Sequence, residues 1–361
     1  MTDAAPRVFR APGRVNLIGG QVDYHEGCVV SMAIDRDVRV AVSPRDDGRV
    51  VAHSAELAGS VDVAADGRDE PATVRPAWGR ALAGVVRTLN EAGRRPVGAT
   101  IAVSSMVPIG AGLSSSAAFE IAVALALGDV AEFEPAPLEL VLAAQRAEHI
   151  ATGVPCGIQD QMTSRFGVVD HALAIDCRTL TVEPLPLPPE TSVVVIHSGV
   201  PRVLEGSAYA KRRAESLAVA KRLGLRALRD ATIDQVRDEP RGRHAVSEIQ
   251  RVREFADALR RGDAASLGPL MLASHVSSRD DMDVSIPELD TLVEALIDAG
   301  AFGARLTGAG FGGCVVALAP VDGVNRVASD AARAYAARTG RSPTAWTMAA
   351  APGAGPLGAD A

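Results

Sequence analysis

Lysine is almost absent from this 361-residue chain: only Lys211 and Lys221 occur. No glycine run is followed by Gly-Lys-Ser/Thr, which excludes a Walker A phosphate loop. Any phosphate charge must then be met by backbone amides, arginine or a divalent cation. Aromatic residues make up only 3%, so the cores must be built from Ala, Val, Leu and Ile. The four cysteines, Cys28, Cys156, Cys177 and Cys314, form no Cys-x-x-Cys pair and no metal-ligand spacing. They read as reduced, buried thiols of a cytoplasmic protein. No apolar run approaches a membrane span, and the opening Met-Thr-Asp-Ala-Ala-Pro-Arg has no signal-peptide core. Basic excess is missing too. A net charge of −7 and a pI near 5.6 argue against a nucleic-acid or anionic-membrane partner.

What the chain does have is length and apolar content. With 47% hydrophobic residues and a mean hydropathy of +0.13, it can bury two good cores. Residues 38–43, 100–104, 193–197 and 314–319 read as strands. Residues 138–150, 289–299 and 325–338 read as amphipathic helices, with Pro287 at a helix start and Gly300 at its end. Strands and helices mix without a regular βαβ period, which predicts an α+β chain. The proline-rich stretch 184–189 marks a domain seam. The expected division is 1–180 and 181–350, with the active site between the two, and residues 351–361, mostly Ala, Gly and Pro, as a flexible tail.

Residues 107–118 read Val-Pro-Ile-Gly-Ala-Gly-Leu-Ser-Ser-Ser-Ala-Ala and lead into an apolar run. A glycine-rich loop opening onto a helix aims unpaired N–H groups and the positive end of the helix dipole at one point. The natural occupant is a phosphate, held by Gly110, Ala111, Gly112, Leu113, Ser114, Ser115 and Ser116. One of the three hydroxyls could also ligate Mg2+. The plainer alternative is a glycine turn with a serine N-cap.

Three further segments carry polar groups in otherwise structural surroundings. Residues 11–27 pack Arg14, Asn16, Asp23 and Tyr24 among four glycines. That pattern suits a backbone that approaches a sugar and reads its hydroxyls, or a turn between strands. Residues 148–161 place Glu148 in the last turns of a helix ending near Gly153, where a carboxylate opposes the helix dipole and needs an offset such as a divalent cation. Asp160 follows in a glycine-rich turn, where an Asx-turn role is the plainer alternative. Residues 306–314 hold Gly308, Gly310, Gly312 and Gly313 directly before a strand. A dinucleotide fingerprint opens a helix instead, so a backbone-only loop against a ligand fits better.

In this order the segments resemble the galactokinase branch of the GHMP kinases, with residues 11–34 similar to the galactokinase signature, 107–118 to the shared phosphate loop and 303–314 to the third GHMP motif. Shorter matches are 155–161, 207–213 and 274–290. The resemblance spans about residues 7–350. It implies a ribosomal-S5-like N-terminal domain, a ferredoxin-like C-terminal domain, and ATP, Mg2+ and a small-molecule sugar in the cleft of a monomer. It also implies roles. Asp160 would accept the proton of the sugar's anomeric hydroxyl, and Arg14 would pair with it and steady the transferring phosphoryl. Ser116 and Glu148 would hold Mg2+. Asp23, Gly157 and Tyr209 match sugar-pocket positions. Trp78 falls where the family has a tryptophan near adenine, or is a core residue.

One departure stands out. Galactokinases usually read Gly-Glu-His-Thr-Asp-Tyr-Asn where this chain reads Gly19-Gly20-Gln21-Val22-Asp23-Tyr24-His25. The Glu and His associated with the sugar's C6 side are replaced by Gly20 and Gln21. A carboxylate–hydroxyl bond contributes roughly 1.5–3 kcal/mol, so its loss would weaken galactose binding by one to two orders of magnitude. The expectation is a galactokinase-type sugar 1-kinase with galactose as default substrate. The alternative is a sugar altered at C6, such as L-arabinose or galacturonate. A catalytically silent sugar sensor is disfavoured, because the phosphate loop, Asp160, Arg14 and Glu148 are all intact. Homoserine or mevalonate kinase activity is disfavoured by residues 14–23 and 274–290.

Overall fold

The computed structural model describes residues 5–153, 155–201 and 208–358. The N-terminal part runs β1 (Arg7–Ile18), β2 (Cys28–Arg45), β3 (Arg49–Ser54), β4 (Val61–Ala64), α1 (Gly79–Glu91), β5 (Gly98–Ser105), α2 (Ser115–Val130), α3 (Pro137–Thr152), α4 (Gln159–Phe166), β6 (His171–Asp176) and β7 (Thr181–Pro186). The C-terminal part adds β8 (Thr191–His197), α5 (Ala208–Arg222), α6 (Pro240–Arg261), α7 (Ala264–Asp280), α8 (Pro287–Asp298), β9 (Gly303–Thr307), β10 (Cys314–Pro320), α9 (Val324–Thr339), β11 (Thr344–Met348) and β12 (Gly355–Pro356).

Two sheets result. The larger follows the order β12-β1-β2-β5-β3-β4, with β6 pairing β2 and β7. Its pairs are antiparallel except β3 with β5. The smaller is antiparallel, in the order β11-β8-β10-β9. Every strand and helix read from the sequence falls on one of these elements, with only Ala299, the residue after α8, outside its bounds. The mixed α+β class is therefore as expected.

Helix α2 explains how the glycine-rich loop before it is held. Ala117, Ala118, Ile121, Ala122, Val123, Ala124, Ala126 and Leu127 are all buried. A helix that is apolar all round must lie inside the protein. Its N-terminus is thus fixed by the core, with the glycine loop at its mouth.

Three expectations change. First, β7 joins the large sheet through β6, so the strands on either side of position 180 belong to one sheet, and the first half of the proline-rich stretch lies within β7. Helix α6 also packs onto the large sheet: Ile249, Val252, Phe255 and Leu259 join the core that holds Val15 and Val29. Second, the stretch from Ala351 to Leu357 is not a loose tail. Phe9 and Arg10 of β1 pair with Pro356 and Gly355 of β12, Ala351 and Ala354 are buried, and Leu357 N–H donates to the Val8 carbonyl at 2.8 Å. Its Ala, Gly and Pro offer little side chain, but its backbone supplies the bonds. Third, Asp160 sits in the first turn of α4, not in a glycine turn.

Candidate active site

A cavity of about 370 Å3 opens where β1, α2, α3, α4, α5 and the loop before β10 converge. Arg14 and Asn16 project from β1, whose pairing with β2 shifts register on both sides of them, between Pro12 and Arg14 and between Asn16 and Ile18. Such irregularities re-aim side chains beside functional sites.

Arg14 is the organising cation. Its Nε donates to Asp160 Oδ1 and its Nη2 to Asp160 Oδ2, both at 2.8 Å, while Nη1 donates to the Gly112 carbonyl at 2.8 Å. This fork fixes the planar orientation of the carboxylate and ties it to the phosphate loop. Ser114 adds a hydroxyl donated to Asp160 Oδ2 at 2.5 Å. The hydroxyl reaches there because Ser114 adopts a left-handed backbone, φ 63°, an uncommon conformation for a residue with a β-carbon. Asp160 remains about a third exposed, facing the cavity.

Across the cleft, Asp23 accepts the Tyr24 N–H at 3.0 Å. Burial, then the nearby charge of Asp160, push its carboxyl from 3.8 up to about 6. A β-carbon on Gly157 would collide with the Asp23 carboxylate, so glycine there is what lets the two segments meet. Tyr209 of α5 also lines the cavity, and burial pushes its hydroxyl up. Of the 207–213 match, Ser207 lies outside the described residues.

Glu148 stands near the C-terminus of α3 and is offset by neutral donors. Ser116 Oγ donates to its Oε1 at 3.1 Å; Gln161 Nε2 at 2.7 Å and Cys156 Sγ at 3.1 Å donate to its Oε2. Among the described residues no group of three His, Cys, Asp or Glu side chains could hold a metal. One carboxylate and one hydroxyl are hard oxygen donors, and Mg2+ typically takes one or two protein carboxylates plus substrate phosphates.

The remaining predicted residues divide. Gly110, Gly112, Ser114, Ser115 and Ser116 line the cavity; Ala111 and Leu113 are buried beneath the loop. Gly20 and Gln21 line it as well. Gln21 Nε2 donates to the Ala309 carbonyl at 3.2 Å and its Oε1 accepts the Tyr24 hydroxyl at 3.1 Å, joining the signature turn to the third glycine loop. Of that loop only Gly308 and Ala309 face the cavity. Gly310 packs on Val284, and Gly312 and Gly313 lie against the Val200 and Ala111 carbonyls. Trp78 lies outside the cavity lining: its indole N–H donates to the Ala58 carbonyl at 3.3 Å and its ring meets Phe119 of α2 edge-on.

Sequence reasoning missed Gln159 and Gln161. Asn16 Nδ2 donates to Gln159 Oε1 at 3.0 Å, which binds β1 to α4 beside the cavity. Only their place on either side of Asp160 could have drawn attention to them.

These loops and this two-sheet frame define a GHMP small-molecule kinase. The families described as GHMP kinases N terminal domain and GHMP kinases C terminal match residues 80–168 and 255–337. The galactokinase galactose-binding signature matches residues 2–44. The chain is 45% identical to the galactokinase of Roseiflexus sp. strain RS-1, over 96% of this chain and 92% of that one. It is 44% identical to the galactokinase of Chloroflexus aurantiacus, over 93% and 89%. The crystal structure of Lactococcus lactis galactokinase complexed with galactose superposes with a TM-score of 0.92 at 31% identity, covering 98% of this chain and 95% of that one. Methanococcus jannaschii mevalonate kinase shares the fold, with a TM-score of 0.70 at 18% identity. The chain belongs to the galactokinase family and is a galactokinase-type, ATP-dependent sugar 1-kinase.

Proposed function

We propose that the sugar is galactose and that Asp160 is the proton acceptor. The carrying observation is the Arg14–Asp160–Ser114 constellation at the phosphate loop, with Asp23 across the same cavity. The sugar's anomeric O–H loses its proton to Asp160 as that oxygen bonds the γ-phosphorus and the bridge to the β-phosphate breaks, releasing ADP. Transition states of this kind are loose, so positioning and charge stabilisation carry most of the catalysis. Arg14 orients Asp160 and places positive charge at the transferring group. The N–H groups of the loop at the start of α2 cradle the phosphates. Ser116 and Glu148 would hold Mg2+, which neutralises phosphate charge when bound. Asp23 and Tyr209 hold sugar hydroxyls.

A second reading has its own support. The signature turn offers no carboxylate on the sugar's C6 side, only Gly20 and the Gln21 amide. A C6-altered sugar, such as L-arabinose or galacturonate, is then the substrate. The test is an ATP-consumption screen of galactose, L-arabinose, galacturonate, N-acetylgalactosamine and glucose, with the phosphate located by 31P NMR. Galactose should give the highest kcat/KM. Preference for a C6-altered sugar would install the second reading, and phosphate on another oxygen would overturn both. Asp160→Asn keeps the shape and removes the acceptor; its kcat should fall at least about 100-fold with the KM for ATP little changed. Near-normal turnover would remove Asp160 from the mechanism.

A further inference from the structure

Behind the sugar-side turn lies a buried charged cluster that the chemistry above does not use. Glu248 of α6 has no exposed surface. Its Oε1 accepts the backbone N–H of Gly19 at 2.9 Å, that of Gly20 at 3.2 Å, and the Ser274 hydroxyl at 2.6 Å. Its Oε2 accepts Arg251 Nε at 2.8 Å. Burial alone would push this carboxyl up; Arg305 and Arg251 outweigh it and hold it down at about 2.

The next peptide of the turn, Gly20–Gln21, is also held. His244, fully buried, bonds the Gly20 carbonyl through Nε2 at 3.0 Å, and its Nδ1 lies 2.9 Å from Ser277 Oγ. Arg305 of β9 is fully buried. It bonds the Asn16 side-chain oxygen through Nη1 and has Nη2 3.9 Å from Glu248 Oε1. A β-carbon at Gly20 would fall 2.5 Å from Arg305 Nη2. The space a side chain at position 20 would enter is thus filled by guanidinium, not open to the cavity.

The turn needs such support. Gly19 and Gln21 both have positive φ, 96° and 63°, and β1 ends at Ile18, so sheet pairing cannot satisfy the two amides. We propose that Glu248 is a positioning residue for sugar binding. From α6 it supplies the carboxylate that fixes the Gly19-Gly20-Gln21 wall of the sugar pocket, while Arg305 closes the space behind Gly20. Discrimination on this side of the sugar is then set by the Gly20 peptide and the Gln21 amide rather than by a vacancy. This rests on the sugar-kinase reading of the same cavity.

The test is Glu248→Gln, assayed with whichever sugar the wild type turns over best. The KM for sugar should rise at least about tenfold, with kcat and the KM for ATP within about threefold of wild type. Ser274→Ala removes one donor to the same oxygen and leaves the charges in place. It should shift the sugar KM in the same direction by about two- to threefold, and it serves if Glu248→Gln does not fold. A second readout needs no sugar. Amide hydrogen exchange in either variant should quicken in residues 17–24 and stay unchanged in the phosphate loop, 107–118. An unchanged sugar KM in a folded variant, or equal shifts for sugar and ATP, would overturn the proposal. So would exchange that quickens uniformly, which marks a purely structural ion cluster. If the wild type phosphorylates none of the sugars, the functional reading falls and the exchange experiment still decides the role of Glu248.

Discussion

Two aspartates face one cavity in opposite circumstances. Asp160 has a bidentate arginine and a hydroxyl. Asp23 accepts one backbone N–H and is half-buried at the cavity wall, where loss of solvent and the charge of Asp160 push it up to about 6. The sign of the consequence follows. A carboxyl raised in the folded state binds its proton more tightly there than in the unfolded chain. The stabilisation is complete below about pH 4 and is lost as pH rises to 6. The loss is on the order of 3 kcal/mol. Asp23→Asn should therefore melt higher than the sugar-free wild type at pH 7.5, and the gain should vanish near pH 4. The same variant should lose at least about tenfold in kcat/KM for the sugar, because an amide replaces an ionised acceptor. In the wild type, kcat/KM should climb across pH 6, and that limb should be missing from the variant. Equal melting at pH 7.5, or an unchanged limb, would show that Asp23 carries neither effect.

At the level of elements, the contact of α7 with β9 places the cluster behind the Gly19-Gly20-Gln21 turn of the cavity wall. Gly268 of α7 and Gly303 of β9 touch backbone to backbone, and a β-carbon at Gly268 would overlap the Phe302 carbonyl. Neither neighbour is a side chain that can swing aside. Gly268→Ala gains about 1 kcal/mol in helix propensity but forces α7 away from β9, at the upper end of the 1–3 kcal/mol typical of overpacking, or about 3 kcal/mol. The expected net loss is about 2 kcal/mol by urea titration. Because β9 carries Arg305 and α7 carries Ser274, the sugar KM should rise in the same variant. A stability equal to wild type would mean that this crossing relaxes freely.

Across the whole molecule, the two ends of the described chain meet. The segment after Ala350 lies along β1 and fastens the C-terminal end of α4, the helix whose first turn holds Asp160. Gly353 N–H donates to the Gly167 carbonyl at 2.7 Å, Ala354 N–H to the Ser164 carbonyl at 2.9 Å, and Ala351 N–H to the Ala33 carbonyl at 3.0 Å. Arg165 Nη1 returns a bond to the Ala354 carbonyl at 3.2 Å. With Leu357, four backbone donors are engaged. At about 1 kcal/mol each, their loss amounts to about 4 kcal/mol. A chain ending at Ala350 should show a Tm lower by several degrees and a reduced kcat. Unchanged calorimetric melting would make the strap an accessory.

The sequence by itself determined the loops and the longer helices. Glycines and serines before an apolar run specify an anion-binding helix start through local backbone chemistry alone. Periodic apolar residues specify α3, α8 and α9 through burial of one face. It was silent where the signal is not local. Helix α4 is short and buries polar residues, Gln159, Gln161, Thr163 and Ser164, so no periodicity announced it and Asp160 read as a turn residue. The strap is made by backbone pairing, which composition does not encode. Nothing near Gly20 in the chain shows what lies behind it. Arg305 and Glu248 arrive there from β9 and α6, brought by the packing of those elements onto the large sheet. Only the tertiary structure decided this, because buried charges are neutralised by whatever the fold sets beside them, whatever their distance along the chain.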